Sequence, residues 1–188
     1  MPDGARIAPI TDAGPLTLPN IITFGRLCAV PLAVWLVLRG DFAIAFLLFV
    51  LAGLSDAVDG WLARRRGTSA LGALLDPVAD KALLVTMYVT LAAVRVLPDW
   101  LAILVVFRDA VIVGGVLVLA VLGQRPAIRP LRISKLNTAL QIVLVAAALL
   151  MAAHGLTAPR ILTVLTWVVG LSTFLSGAAY VARAVRRG

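Results

Sequence analysis

The sequence predicts an all-α integral membrane protein of six transmembrane helices, and three observations predict it. Of its 188 residues 62% are hydrophobic, and the mean hydropathy is +1.04, whereas ordinary soluble domains are roughly 45–50% apolar. The apolar residues form long runs near the roughly 20 residues that one crossing requires, and the length accommodates about six of them with no room for a soluble domain. The seventeen Lys and Arg residues cluster between those runs. Such a distribution is the signature of membrane topology and argues against a nucleic-acid partner, despite a net charge of +8.

The expected spans are 21–38, 42–62, 72–94, 99–122, 135–153 and 160–182. Residues 1–19 carry Pro and Gly without an apolar core and read as a flexible N-terminal segment, not a cleaved signal peptide; 20–188 form one membrane domain. The first span carries Asn20, Thr23 and Arg26 at three-residue steps, and also Cys28, a lone cysteine for which packing is the expected role. The second ends on Asp56 and Asp59, followed by Arg64, Arg65 and Arg66; the third opens through Gly72, Asp76 and Asp80. Arg108 and Asp109 interrupt the fourth, which also has the small residues Gly114 and Gly115. The fifth is entered through Arg129, Arg132, Ser134 and Lys135, and His154 falls in the loop after it. The sixth is followed by Arg183, Arg186 and Arg187.

Six crossings place the loops with Arg64–Arg66 and Arg125–Arg132, and the basic tail, on one side; the other side has Arg39, Arg95 and Arg160. The positive-inside rule makes the basic side cytoplasmic, with both termini. The cytoplasmic face and the absence of a cleavable signal point to a bacterial inner membrane.

The carboxylates carry the functional information. There is no Glu, and four of the nine Asp residues lie between positions 56 and 80. Asp56 and Asp59 are three apart and Asp76 and Asp80 four apart, so each pair shares one helical face. A carboxylate near a bilayer core costs a few kcal/mol or more unless paired, hydrated or metal-bound. Four facing one another require compensation, and hard oxygen donors suit Mg²⁺ or Mn²⁺, with two ions able to share four carboxylates. The alternative is a salt-bridge network with Arg64, Arg65, Arg66 and Lys81. Gly60 and Gly72 beside these pairs permit close approach of a ligand or of a neighbouring helix.

Together the residues spell D-x-x-D-G-x-x-A-R-x7-G-x-x-x-D-x-x-x-D from Asp56 to Asp80. This resembles the signature of the CDP-alcohol phosphatidyltransferases, with seven residues between Arg64 and Gly72 where that family frequently has eight. The resemblance implies a six-helix membrane fold, commonly homodimeric. It implies metal ligation by Asp56, Asp59, Asp76 and Asp80, with Asp80 also the base that deprotonates the acceptor hydroxyl. It further implies a CDP-lipid site at Gly60, Ala63, Arg64 and Gly72, joined by the Asn20, Thr23 and Arg26 stripe. The chemistry suits the residues: displacement at a phosphoryl centre needs charge neutralisation and in-line positioning rather than a covalent intermediate.

The acceptor must be read from the second half. An intramembrane Arg108 is either paired with a carboxylate or aimed at an anionic substrate group, and Asp109, about 100° round the helix, is not assured as its partner. Arg132, Ser134 and Lys135 stand at a helix entrance where a phosphate could be held, or where cations meet anionic lipid headgroups. The R-D pair and the I-S-K-x-N-T-A-x-Q run resemble the cardiolipin synthases, which join CDP-diacylglycerol to phosphatidylglycerol. The L-D-P-x-A-D-K run from Leu75 to Lys81 also resembles the phosphatidylglycerophosphate synthases, which take glycerol 3-phosphate. The expected acceptor-binding set is Arg108, Asp109, Arg132, Ser134 and Lys135. An ion or proton transporter would use intramembrane charges too, but clustering on one membrane face does not make a transmembrane path.

Overall fold

A computed structural model describes the backbone of residues 18–66, 70–121, 132–156 and 160–185, and the side chains within 24–55, 81–115, 133–156 and 160–182. All regular structure among these residues is helical: α1 Leu18–Leu38, α2 Phe42–Arg66, α3 Ala70–Ala93, α4 Asp99–Val121, α5 Arg132–Ala153 and α6 Arg160–Val185. The apolar runs therefore become helices as expected, with ends displaced by a few residues. Helix α2 continues to Arg66, so Arg64–Arg66 are helical rather than loop residues. Arginine is a good helix former, and cations complement the negative end of a helix dipole. Helix α1 begins at Leu18, which makes Asn20 an interior residue of the first turn and not a cap.

Three helices end in the same way. In α1, Gly40 (φ 82°) donates its N–H to the Val37 carbonyl and Asp41 donates to Leu36. In α5, Gly155 (φ 67°) donates to Ala152 and Leu156 to Met151. In α3 the left-handed position is taken by Arg95 (φ 64°), which donates to Ala92 while Val96 donates to Leu91. Each pair of bonds satisfies two terminal carbonyls in the Schellman arrangement. Trp100 and Trp167, near the starts of α4 and α6, have ring centroids 5.1 Å apart, which brings those two starts together. The Trp100 ring lies over Gly170, where a Cβ would come within 2.8 Å of it.

Helix α1 packs against α2 and α3; α3 also meets α4 and α5; α2 meets α5; and α6 meets α4 and α5. The apolar core has Val37, Phe49, Met87, Leu101, Leu144 and Val169 at its centre. Outside it, large apolar side chains stand exposed on α1, α2, α4 and α6, including Trp35, Leu47, Ile103, Phe107, Trp167 and Phe174. Inside it, Arg108, Asp109, Asn137, Gln141, Thr173 and Ser176 are buried. This apolar-out, polar-in distribution is the reverse of that of a water-soluble domain. Among the described residues two stretches are long and apolar enough to cross a membrane, Ile133–Ala153 and Arg160–Ala182. Cys28 is exposed on α1, not packed inside: it lies on the apolar outer surface, where a thiol behaves as one more small hydrophobe.

Candidate active site

Three helices meet at one guanidinium, and a fourth reaches it through a shared carboxylate. Arg108 on α4 is 4% exposed. Its Nη1 donates to Oδ1 of Asp109 at 2.6 Å, and its Nη2 donates to the hydroxyls of Ser134 on α5 at 2.6 Å and Ser176 on α6 at 2.7 Å. The Tyr180 ring lies 6.0 Å from the guanidinium carbon. On the other flank, Lys81 of α3 donates from Nζ to both carboxylate oxygens of Asp109, at 2.9 and 2.7 Å. Asp109 thus holds two cations from two helices, and the cluster of Lys81, Asp109 and Arg108 carries one net positive charge. Charge-assisted bonds of this length belong to the strong class of protein hydrogen bonds.

The pairing of Arg108 with its sequence neighbour was not assured by helix geometry. The planar fork spans the 100° offset, and α5 and α6 supply the remaining acceptors. Lys81, one of the cations considered for the carboxylate network, engages Asp109 among the described residues. Of the expected acceptor residues, the structure joins Arg108, Asp109 and Ser134. Lys135 is exposed beside them on α5. Arg132 opens α5, but its side chain lies outside the described residues.

Sequence reasoning assigned no site role to Lys81, Ser176, Asn137, Gln141 or Thr173. The Asn137 Oδ1 accepts from Ser172 at 2.7 Å and Thr173 at 2.9 Å, and Gln141 donates to Thr173 at 3.3 Å. Tyr88 donates to the Gln141 carbonyl at 3.2 Å, adding α3 to this seam between α5 and α6. The spacing of Ser134, Asn137 and Gln141 along one face of α5 was the available signal. Ser176 offered the same kind of signal on α6, three residues after Thr173 and four after Ser172 on one helical face.

Asp56 and Asp59 lie in the second half of α2, and Asp76 and Asp80 in the first half of α3. Their side chains, with those of Asn20, Thr23, Gly60, Ala63, Arg64 and Gly72, lie outside the described residues. Arg26 is buried on α1, the helix that packs against both carboxylate-bearing helices. Among the described residues no three His, Cys, Asp or Glu side chains gather as a metal site. The chemistry of the donor set nevertheless fits one: four carboxylates, all oxygen, suit a hard divalent cation such as Mg²⁺ or Mn²⁺. Lys81 directly follows Asp80 in α3, so the Arg108 cluster begins one residue from these carboxylates.

The chain matches the family model for CDP-alcohol phosphatidyltransferase over residues 16–175. A chloroplast CDP-diacylglycerol–glycerol-3-phosphate 3-phosphatidyltransferase of Oryza sativa subsp. japonica is 36% identical over 184 residues, 88% of this chain and 56% of that protein. A cardiolipin synthase (CMP-forming) of Homo sapiens is 34% identical over 163 residues, 78% of this chain and 54% of the other. A cardiolipin synthase (CMP-forming) of Streptomyces coelicolor is 41% identical over 118 residues, 59% of this chain and 55% of the other. The chain spans about half the length of these three relatives. The paired aspartates on α2 and α3, the helical bundle that carries them and a match across most of its length agree: this chain belongs to the CDP-alcohol phosphatidyltransferase family.

Proposed function

We propose that this protein synthesises cardiolipin, transferring the phosphatidyl group of CDP-diacylglycerol to a hydroxyl of phosphatidylglycerol and releasing CMP. The observation that carries the choice of acceptor is the 2.6 Å bond from Arg108 to Ser134. It joins the R-D pair of α4 to the I-S-K-x-N-T-A-x-Q run of α5, the two segments that resemble cardiolipin synthases. The human and Streptomyces relatives bear that name. A second reading, phosphatidylglycerophosphate synthesis with glycerol 3-phosphate, is favoured by the Oryza relative and by the L-D-P-x-A-D-K run.

In this reading residues 20–188 form one six-span catalytic domain, with both termini and the site on the cytoplasmic side of a bacterial inner membrane, working as a homodimer. Asp56, Asp59, Asp76 and Asp80 would hold two Mg²⁺ or Mn²⁺ ions. Bound there, the ions would neutralise the diphosphate and stabilise attacking and leaving oxygens. Gly60, Ala63, Arg64 and Gly72, with Asn20, Thr23 and Arg26 of α1, bind the CDP-lipid. Asp80 takes the proton of the acceptor hydroxyl as its oxygen attacks the phosphorus that CMP leaves. The excess positive charge of the Arg108 cluster, with Arg132 and Lys135, attracts the acceptor phosphate, and Asp109 and Ser134 fix the guanidinium behind it.

The test is the lipid product. Membranes containing the protein, given CDP-diacylglycerol and phosphatidylglycerol, are expected to accumulate by mass spectrometry a diphosphate lipid with four acyl chains, and Asp80→Asn membranes are expected to lack it. A phosphatidylglycerophosphate product from added glycerol 3-phosphate, with no four-chain lipid, would establish the second reading.

A further inference from the structure

The Asp109 carboxylate raises a question of charge balance. It is 7% exposed and lies on α4, not on the helices that carry the four signature aspartates, yet it accepts two bonds from the Lys81 ammonium, at 2.9 and 2.7 Å. Its Oδ1 also accepts from Arg108. Lys81 is the residue after Asp80, and its side chain remains 39% exposed. A lysine is a compact charge on a long flexible stem. Deprived of Asp109, its nearest anions in sequence are Asp80 and Asp76 on its own helix. An ammonium among those carboxylates would offset the charge that a divalent cation needs, because ligand charge count sets the affinity of such sites.

We infer that Asp109 is a positioning residue that sequesters Lys81, keeping its ammonium out of the carboxylate site between α2 and α3 so that the site can take a divalent cation. This inference rests on the metal reading of Asp56, Asp59, Asp76 and Asp80. The rest of the cluster supports the same role. Asp109 can hold Lys81 only if its own position is fixed, and Arg108 fixes it. The guanidinium is tied in turn to Ser134 on α5 and Ser176 on α6. Three helices thus brace the carboxylate against α3. Because Lys81 adjoins Asp80, the place where its ammonium is held bears on the charge beside that carboxylate.

The experiment is Mn²⁺ binding to the purified full chain in detergent, followed through the electron paramagnetic resonance signal of free Mn²⁺ and requiring no turnover. The wild type is expected to bind and Asp56→Asn to lose binding; wild-type protein that binds no Mn²⁺ would overturn the metal reading beneath the inference. Given wild-type binding, Asp109→Asn is expected to raise Kd by about tenfold, a change of about 1.4 kcal/mol. The double variant Asp109→Asn/Lys81→Met is expected to return it to the wild-type value. Unchanged Mn²⁺ affinity in Asp109→Asn would overturn the inference while leaving the metal site standing. So would a loss that Lys81→Met fails to reverse in a monodisperse protein. Should Asp109→Asn not fold, Lys81→Met alone decides: binding at least as tight as wild type supports the inference, and weaker binding overturns it.

Discussion

Arg108 shows how one residue can be expensive and still be retained. A cation in apolar surroundings persists only with partners, and this one has a carboxylate and two hydroxyls from three helices. Replacement by Lys would keep the charge and lose the fork, because an ammonium cannot span Asp109, Ser134 and Ser176 in the same plane. Arg108→Lys is therefore expected to lose about 2 kcal/mol, the order of one hydrogen bond to a charged group, read as a lower midpoint of thermal unfolding in detergent. Arg108→Ala is expected to raise the KM for the acceptor more than that for the CDP-lipid. An unchanged acceptor KM with full kcat would remove Arg108 from acceptor binding. The sequence marked Arg108 because a charge inside an apolar run stands out. Ser176 closes a polar run with Ser172 and Thr173, and its bond to Arg108 comes from the packing of α6 against α4.

At the scale of the element, helix ends and helix seams follow local rules. Gly40 and Gly155 occupy left-handed positions at no steric cost, while Arg95 does so at φ 64°. Its ion pair with Asp99, 2.8 Å long but highly exposed, contributes little. Arg95→Gly is expected to raise stability by about 0.5–1 kcal/mol, measured by thermal unfolding, whereas a loss of stability would show that the exposed pair outweighs the backbone strain. Gly170 makes the opposite case. A Cβ there would meet the Trp100 ring at 2.8 Å, so Gly170→Val is expected to displace Trp100 from Trp167 and cost about 1–3 kcal/mol. A shift in tryptophan fluorescence would accompany that change. Element order was legible from apolar runs, and the helix ends only approximately. Schellman caps at Arg95 and the extension of α2 through Arg66 depend on backbone geometry that hydropathy does not report.

At the scale of the molecule, the chain is built inside out relative to a soluble domain, with Phe107, Trp167 and Phe174 outward and an arginine–carboxylate–lysine cluster inward. Composition disclosed that inversion at once, because a lipid solvent reverses which surface must be apolar. It did not disclose which polar residues meet, since Lys81, Arg108, Ser134 and Ser176 come from four helices and are separated by tens of residues. With Cys28 replaced by Ala, a single cysteine at His154 is expected to react with a membrane-impermeant maleimide from outside intact cells, and one at Arg66 only from inside. The reverse pattern would invert the proposed topology and place the site on the wrong face for a cytoplasmic nucleotide.

The proposed reaction can be tested directly. Purified protein given CDP-diacylglycerol and Mg²⁺ or Mn²⁺ can be assayed for CMP release with phosphatidylglycerol or glycerol 3-phosphate as acceptor. Release is expected with phosphatidylglycerol and not with glycerol 3-phosphate, and it should vanish with chelator and in Asp56→Asn, Asp59→Asn, Asp76→Asn and Asp80→Asn. Release with glycerol 3-phosphate alone would keep the aspartates and refute cardiolipin synthesis; full release in any two of the four aspartate variants would refute the shared metal site itself.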